Sequence, residues 1–157
     1  MAAKPVPASY AGLPYHSIHA FEATAADGKK TTIKFKFEPT AGELGLTDEE
    51  AKAKEEGFFT AEIDERFKSG PVSFDLVAII GTDADPTNDP TAEWPEADRT
   101  KVALGKLAIA GREDEAKCDA TTFDPNNLAE GLAGFPGDTI LPARSGSYAV
   151  SLGRRSE

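Results

Sequence analysis

The sequence is poor in the residues that build disulfide frameworks, metal clusters and membrane spans. Its 157 residues include one cysteine, Cys118, and two histidines, His16 and His19. A single cysteine excludes an internal disulfide and a cysteine-based zinc site, and two histidines exclude a His-rich metal site. No apolar run approaches the roughly 20 residues that cross a bilayer, and the N-terminus lacks a signal-peptide core. We expect a soluble chain, cytoplasmic as written, with a periplasmic location open for a longer parent protein.

Positive charge and large apolar residues are also scarce. The chain has 17 Lys and Arg against 27 Asp and Glu, a net charge of -10 at pH 7. This balance opposes binding to nucleic acid or to a membrane surface, so neither is an expected partner. Leu, Ile, Val and Phe account for 31 of 157 residues, just under the roughly 20% level below which a strongly charged chain tends to be disordered. We therefore expect a thin core that needs a ligand, a partner or a second copy.

An alternating pattern predicts a β-hairpin near the N-terminus. A strand beginning at Ser17 is followed by an Asp27-Gly28 turn, and then by Ile33 and Phe35, which alternate with charged residues. Asp-Gly followed by period-two alternation is typical of a hairpin.

Two helices are predicted after the hairpin. Thr47 and Glu50 form a capping-box pattern that opens the first helix, and Gly57 is its expected end. Thr60 is the expected cap of the second helix, and Gly70 its expected end.

Two further strands are predicted, over residues 71–80 and 102–110, the second with a bulge at Gly105. The stretches 81–101 and 111–142 are long and irregular. Loops of that length in a compact domain are usually functional, or else indicate that a structural part is missing.

The domain prediction is an N-terminal arm or linker over residues 1–15 and one α+β domain over residues 16–157. The first stretch is rich in Pro, Ala and Gly and shows no period. The remainder has a one-domain length.

Several short motifs occur along the chain in an order and spacing that are characteristic of one protein family. They are DPTAEWP at 89–95, VALGKL at 102–107, FDPNNLAEGL at 123–132 and ARSGSYAVSLGRR at 143–155. In order and spacing they resemble haem catalases, and most of all the small catalase-related haem peroxidases. The resemblance implies the C-terminal half of a catalase-type antiparallel β-barrel. That half would have about four strands, two inserted helices, long wrapping loops and a C-terminal proximal haem helix.

The resemblance also implies a proximal haem site. Tyr148 matches the tyrosine that binds the iron of haem b, and Arg144 matches an arginine linked to a histidine and an aspartate, here His19 and Asp138. A free tyrosine has a pKa of about 10, so phenolate ligation at pH 7 costs roughly 4 kcal/mol. The iron charge and a nearby guanidinium can offset that cost.

Three more residues match haem contacts of the family. Phe123 and Pro125 match proximal pocket residues, and Arg155 matches an arginine that pairs with a haem propionate. Gly146 and Val150 depart from the pattern of the large catalases, which places the chain nearer the peroxidase-like branch.

The implied function is that of a peroxidase, which acts on hydrogen peroxide with a small reductant. The family's distal histidine motif has no counterpart in the sequence, which argues against activity of the chain alone. A second copy, a separate N-terminal half, or a longer gene of which this is a truncation would supply what is missing. The alternative is a non-catalytic scaffold or partner-binding module that keeps the catalase fold without haem.

Overall fold

The computed structural model describes residues 5–156, which mix helices with antiparallel β-structure. The strands are β1 (Val6–Pro7), β2 (Tyr15–His16), β3 (Phe21–Thr24), β4 (Lys30–Pro39), β5 (Gly45–Leu46), β6 (Val72–Ile80), β7 (Lys101–Ile109) and β8 (Leu132–Gly134). The α-helices are α1 (Asp48–Lys52), α2 (Phe58–Phe67), α3 (Glu115–Asp119) and α4 (Ile140–Arg155). The predicted α+β class is confirmed. In the described part of the chain, no helix is long and apolar enough to span a membrane.

The strands form two sheets. A six-stranded sheet has the order β7-β6-β4-β3-β8, with β2 paired to β4 off this path, and β1 pairs with β5 in a separate two-stranded sheet. By contacts the described chain divides into two compact units. The first unit comprises residues 5–16, 36–77 and 103–112, and the second comprises residues 17–35, 78–102 and 113–156.

The predicted hairpin is confirmed. β3 and β4 pair antiparallel, from Phe21 opposite Ile33 to Thr24 opposite Lys30. Gly28 in the connecting turn has a φ of 83°, a left-handed conformation that favours glycine. The first strand is shorter than predicted, because it begins at Phe21.

The structure also contains a strand that the sequence does not signal. β8 lies within the stretch predicted to be irregular, and it pairs antiparallel with β3. Its three residues are too few to show an alternating pattern, and a long-range partner decides their conformation.

The predicted start of the first helix is confirmed, whereas its predicted end and the predicted start of the second helix are wrong. α1 opens with the predicted capping box, in which Thr47 accepts from the N–H of Glu50 and the Glu50 carboxylate accepts from the N–H of Thr47. It ends at Lys52, so Gly57 does not stop it. Gly57 instead precedes α2 with a φ of 78°. α2 begins at Phe58, so Thr60 lies inside the helix and does not cap it.

The expected arm covered residues 1–15, of which residues 1–4 lie outside the described residues. Residues 5–15 belong to the first unit, together with His16. They contain β1, β2 and a short 3-10 helix at Tyr10–Gly12. Ala11 is buried with Val72 and Phe74 in the core of this unit.

The core of the second unit is a small apolar cluster that reaches α4. Phe21, Ile33, Ala78 and Leu141 are buried together. Leu141 is 2% exposed, and it is the buried residue of α4. The position of the first turn of α4 is therefore set by this core.

The irregular stretch 81–101 is organised by Trp94. The Nζ of Lys34 lies 4.9 Å from the ring centroid of Trp94, and the guanidinium carbon of Arg99 lies 5.2 Å from it. Two hydrogen bonds of 2.5 and 2.6 Å join Arg99 to Asp85. Hydrogen bonding to Arg99 holds the pKa of Asp85 far below its usual range. Cation-aromatic contacts and an ion pair thus replace regular structure in this loop.

Two glycine substitutions are predicted to change stability in opposite directions. A Cβ at Gly134 would lie 2.7 Å from Cδ2 of buried Leu141, whereas a Cβ at Gly146 in α4 would meet nothing within 4 Å. We expect Gly134→Ala to lower the free energy of unfolding by about 1 to 3 kcal/mol through overpacking. Gly146→Ala should raise it by up to about 1 kcal/mol through helix propensity. Urea denaturation measures both, and equal stability of the two variants would contradict the packing argument.

Candidate functional site

A buried hydrogen bond between two side chains joins two distant segments of the second unit. His19 lies just before β3, and Asp138 lies just before α4. Nδ1 of His19 is 2.6 Å from Oδ2 of Asp138, and the two side chains are 2% and 1% exposed. Oδ1 of the same carboxylate accepts the N–H groups of Ile140 and Leu141, each at 3.0 Å. One carboxylate therefore binds the histidine and caps the helix.

The environment of Asp138 favours its ionised form. Burial raises the pKa of this carboxyl, but hydrogen bonds from the N–H of Leu141, from His19 and from the N–H of Ile140 outweigh the burial. The pKa of Asp138 therefore lies below its ordinary value. Because an ionised carboxylate only accepts hydrogen bonds, Nδ1 of His19 must be the donor. The buried Nε2 of His19 has no hydrogen-bond partner among residues 5–156.

A second pair lies further along α4. Nη2 of Arg144 donates to Oη of Tyr148 over 2.6 Å, and the guanidinium carbon is 5.4 Å from the ring centroid. Both side chains are partly buried. The four-residue spacing puts the two side chains on one face of the helix. A guanidinium that donates to a phenol oxygen stabilises negative charge on that oxygen.

A polar cluster joins the FDPNN segment to α4, and sequence reasoning missed it. Nδ2 of Asn126 is 2.7 Å from the carbonyl oxygen of Leu141, 2.9 Å from Oγ of Ser145 and 3.1 Å from Oδ1 of Asp124. Hydrogen bonds from the Ser145 hydroxyl and the Asn126 N–H lower the pKa of Asp124. The signal in the sequence was weak, because Asp-Pro-Asn indicates a turn and does not show what the turn binds.

The remaining predicted residues lie in the same unit. Pro125 is partly buried, whereas Phe123 is 72% exposed. Arg155 donates to Oγ of Ser151 at 2.6 Å and to the carbonyl oxygen of Thr121 at 3.2 Å. Its Nε is 3.7 Å from Oδ1 of Asp119.

The structure thus brings His19 to Asp138 and Arg144 to Tyr148. His19 makes no hydrogen bond to Arg144, because its Nδ1 binds Asp138 and its Nε2 has no partner in the described chain. The functional link between the two pairs, expected from the family resemblance, stays a prediction.

Comparison with known proteins identifies the family. The family model described as Catalase matches residues 1–155, and the chain belongs to the catalase family. It is 33% identical to a catalase-related peroxidase of Synechococcus elongatus, over 96% of this chain and 44% of that protein. It is 34% identical to a catalase-related peroxidase of Mycolicibacterium paratuberculosis, over 96% of this chain and 48% of that protein. The chain therefore spans less than half the length of these curated relatives.

The fold is similar to that of solved catalases. Catalase A from Saccharomyces cerevisiae matches with a TM-score of 0.81 and 20% identity, over 95% of this chain and 33% of that chain. This likeness shows a catalase-like fold of helices and antiparallel sheet.

Replacing the Asp138 carboxylate is predicted to destabilise the chain in a pH-dependent way. Asp138→Asn should lower the free energy of unfolding at pH 5 by about 3 kcal/mol, because it removes the charged acceptor of the hydrogen bonds from His19 and from the first turn of α4. The pKa of Asp138 is lower in the folded chain than the unfolded value of about 3.9. The stabilisation is therefore present above that value and is lost as pH falls through the folded pKa.

Urea denaturation at pH 5 and pH 3 tests this expectation, with Asp98→Asn as an exposed control. The difference in stability between wild type and Asp138→Asn should narrow at pH 3. A difference that is the same at both pH values would contradict the assignment of an ionised Asp138.

Proposed function

We propose that the chain is the C-terminal, proximal half of a catalase-related haem peroxidase, with Tyr148 as the ligand of the iron of haem b. The observation that carries the proposal is the 2.6 Å hydrogen bond from Nη2 of Arg144 to Oη of Tyr148. A phenol that binds ferric iron does so as the phenolate, and a neighbouring guanidinium stabilises that charge. The donor set fits ferric haem on these chemical grounds.

Haem, when bound, supplies the iron-centred redox chemistry with peroxide, and the residues of the chain hold and tune it. In this proposal Tyr148 provides the iron ligand, and Arg144 stabilises the phenolate without touching substrate. His19 and Asp138 hold the start of α4, and this helix carries Arg144 and Tyr148. The proposed substrates are hydrogen peroxide and a small reductant, in line with the names of the curated relatives.

Phe123, Pro125 and Arg155 are proposed to complete the proximal pocket. The exposed ring of Phe123 is available to pack against a macrocycle. Arg155 donates to protein acceptors through Nε, Nη1 and Nη2. A guanidinium has more N–H donors than these three, so donors remain for a haem propionate.

The acid/base group on the other side of the iron is proposed to come from outside this chain. Peroxide cleavage needs a positioned general acid/base. Apart from His19, the one histidine of the sequence is His16, which lies exposed in β2. The curated relatives are more than twice as long as the matched region, so their remaining length can hold such a residue.

The exposed edge of the large sheet supports the proposal that it is half of a barrel. β7 ends the strand order, and all nine of its residues are exposed. Val102, Leu104, Leu107 and Ile109 are 37 to 50% exposed. An unpaired apolar edge is a template for another strand. A second copy or an N-terminal half would cover it.

Within the first unit, an apolar cavity also supports a covering partner. Its volume is about 550 Å³, and aromatic and aliphatic side chains line most of it. Leu107 and Ile109 of the exposed strand belong to this lining.

Haemin titration tests the proposed ligand. Wild type should give a stoichiometric Soret band with ferric tyrosinate features, and Tyr148→Phe should lose those features because the phenyl ring has no oxygen to bind iron. Tyr10→Phe is the matched control and should behave as wild type. Identical haemin-like spectra for wild type and Tyr148→Phe would reject the haem site and favour the non-catalytic scaffold.

Light scattering tests whether a second copy covers the edge. Wild type should have about twice the mass of one chain, and the double variant Leu104→Lys with Leu107→Lys should have the mass of one, because charge on an edge opposes strand pairing. Ile140→Lys changes an exposed apolar residue away from β7 and serves as the control. A wild-type monomer that melts cooperatively would reject self-association.

A further inference from the structure

Helix α4 carries the proposed iron ligand, yet apolar packing anchors it at one end. The helix has 16 residues, and Leu141 in its first turn is its buried residue. The cap by Asp138 also acts on the first turn, through the N–H groups of Ile140 and Leu141. Tyr148 lies about two helical turns further on. Contacts beyond the first turn must therefore set the rotation of the helix at the level of Tyr148.

We propose that Asn126 is the positioning residue that sets this rotation, and so directs the Arg144–Tyr148 pair. Its role for haem rests on the proposed function, whereas its effect on the pair is a property of the chain itself. The family resemblance assigns no role to Asn126, and the residues that it matches in the same segment are Phe123 and Pro125.

The contacts of Asn126 identify one face of α4. Its side-chain amide reaches the carbonyl oxygen of Leu141 and the hydroxyl of Ser145, which are four residues apart on the same side of the helix. A carbonyl oxygen has two lone pairs, so Leu141 can accept this hydrogen bond in addition to the one within the helix. Two acceptors one turn apart define a face, which a single contact would not.

That face is rigidly related to the candidate site. Ser145 directly follows Arg144, and Tyr148 comes three residues later in the same helix. Successive residues of an α-helix are about 100° apart around the axis. Fixing the direction of Ser145 therefore fixes the directions of Arg144 and Tyr148.

The segment that holds Asn126 is itself braced. Oδ1 of Asp124 accepts from the backbone N–H of Asn126 at 2.9 Å and lies 3.1 Å from its side-chain nitrogen. The Ser145 hydroxyl also donates to Asp124, and this hydrogen bond is the largest cause of its lowered pKa. Asp124, Asn126 and Ser145 thus form a closed set of polar contacts. Removing the Asn126 amide removes its contacts to Leu141 and Ser145 and leaves one contact to α4, between Asp124 and Ser145, which by itself does not define a face.

Nuclear magnetic resonance of the chain without haem tests the positioning role. The variants are Asn126→Ala and Asn126→Asp, which keeps the shape but loses the donor, with the exposed neighbour Asn127→Ala as the matched control. The Overhauser effect between the Tyr148 ring and the Arg144 side chain should weaken at least twofold in both Asn126 variants, with shifts of the Tyr148 ring signals. Asn127→Ala should match wild type.

A purely structural role predicts a different result. If the Asn126 variants melt at lower temperature but keep the wild-type Tyr148 and Arg144 signals, the positioning role is rejected. Signals of Phe21 in the core report whether each variant is folded, and Asn126→Asp provides a second variant if Asn126→Ala unfolds.

Haemin titration then separates this inference from the proposed function. If wild type binds haemin, the Asn126 variants should bind at least tenfold more weakly than Asn127→Ala, and equal affinity would overturn the role of Asn126 in the haem site. If wild type shows no Soret band, the proposed function fails, and the resonance measurements alone decide whether Asn126 orients the pair.

Discussion

The Asp138 carboxylate is the contact on which the rest of the candidate site depends. It binds a histidine that lies 119 residues away in sequence, and its other oxygen caps α4. A buried ionised group is stable only when its hydrogen-bonding capacity is used, so these contacts must form together. They fix the start of the helix against the start of the β-hairpin. The contact therefore places the first turn of α4, the helix that carries Tyr148.

Polar contacts carry more of the site than apolar packing does. The core of the second unit buries one residue of α4, Leu141. The later turns are held by the contact of Asn126 with Ser145 and by the hydrogen bonds of Arg155 to Asp119 and Thr121. Such contacts are directional and short, so they orient side chains more tightly than an apolar stripe would. A site built in this way can keep its geometry in a chain with few large apolar residues.

Family membership and local geometry answer different questions about function. Catalase-family membership follows from a match over nearly the whole chain, but the chain spans less than half of its curated relatives. A shared fold does not assign an activity, so the proposal depends on the Arg144–Tyr148 pair. The pair supports a proximal haem ligand and leaves the opposite acid/base group to another segment. The exposed β7 edge is consistent with the same division of the site.

The sequence by itself determined the hairpin and the start of the first helix, and once α4 forms, the spacing in the sequence places Arg144 beside Tyr148. Each depends on neighbours within a few residues, through turn chemistry, capping or helical spacing. Tertiary structure decided that His19 meets Asp138, a meeting that only family resemblance had suggested, and that Asn126 reaches α4. It also decided that β8 exists and where α2 begins. These features depend on segments far apart in the chain, whose approach is set by the path of the whole backbone, and no local pattern records it.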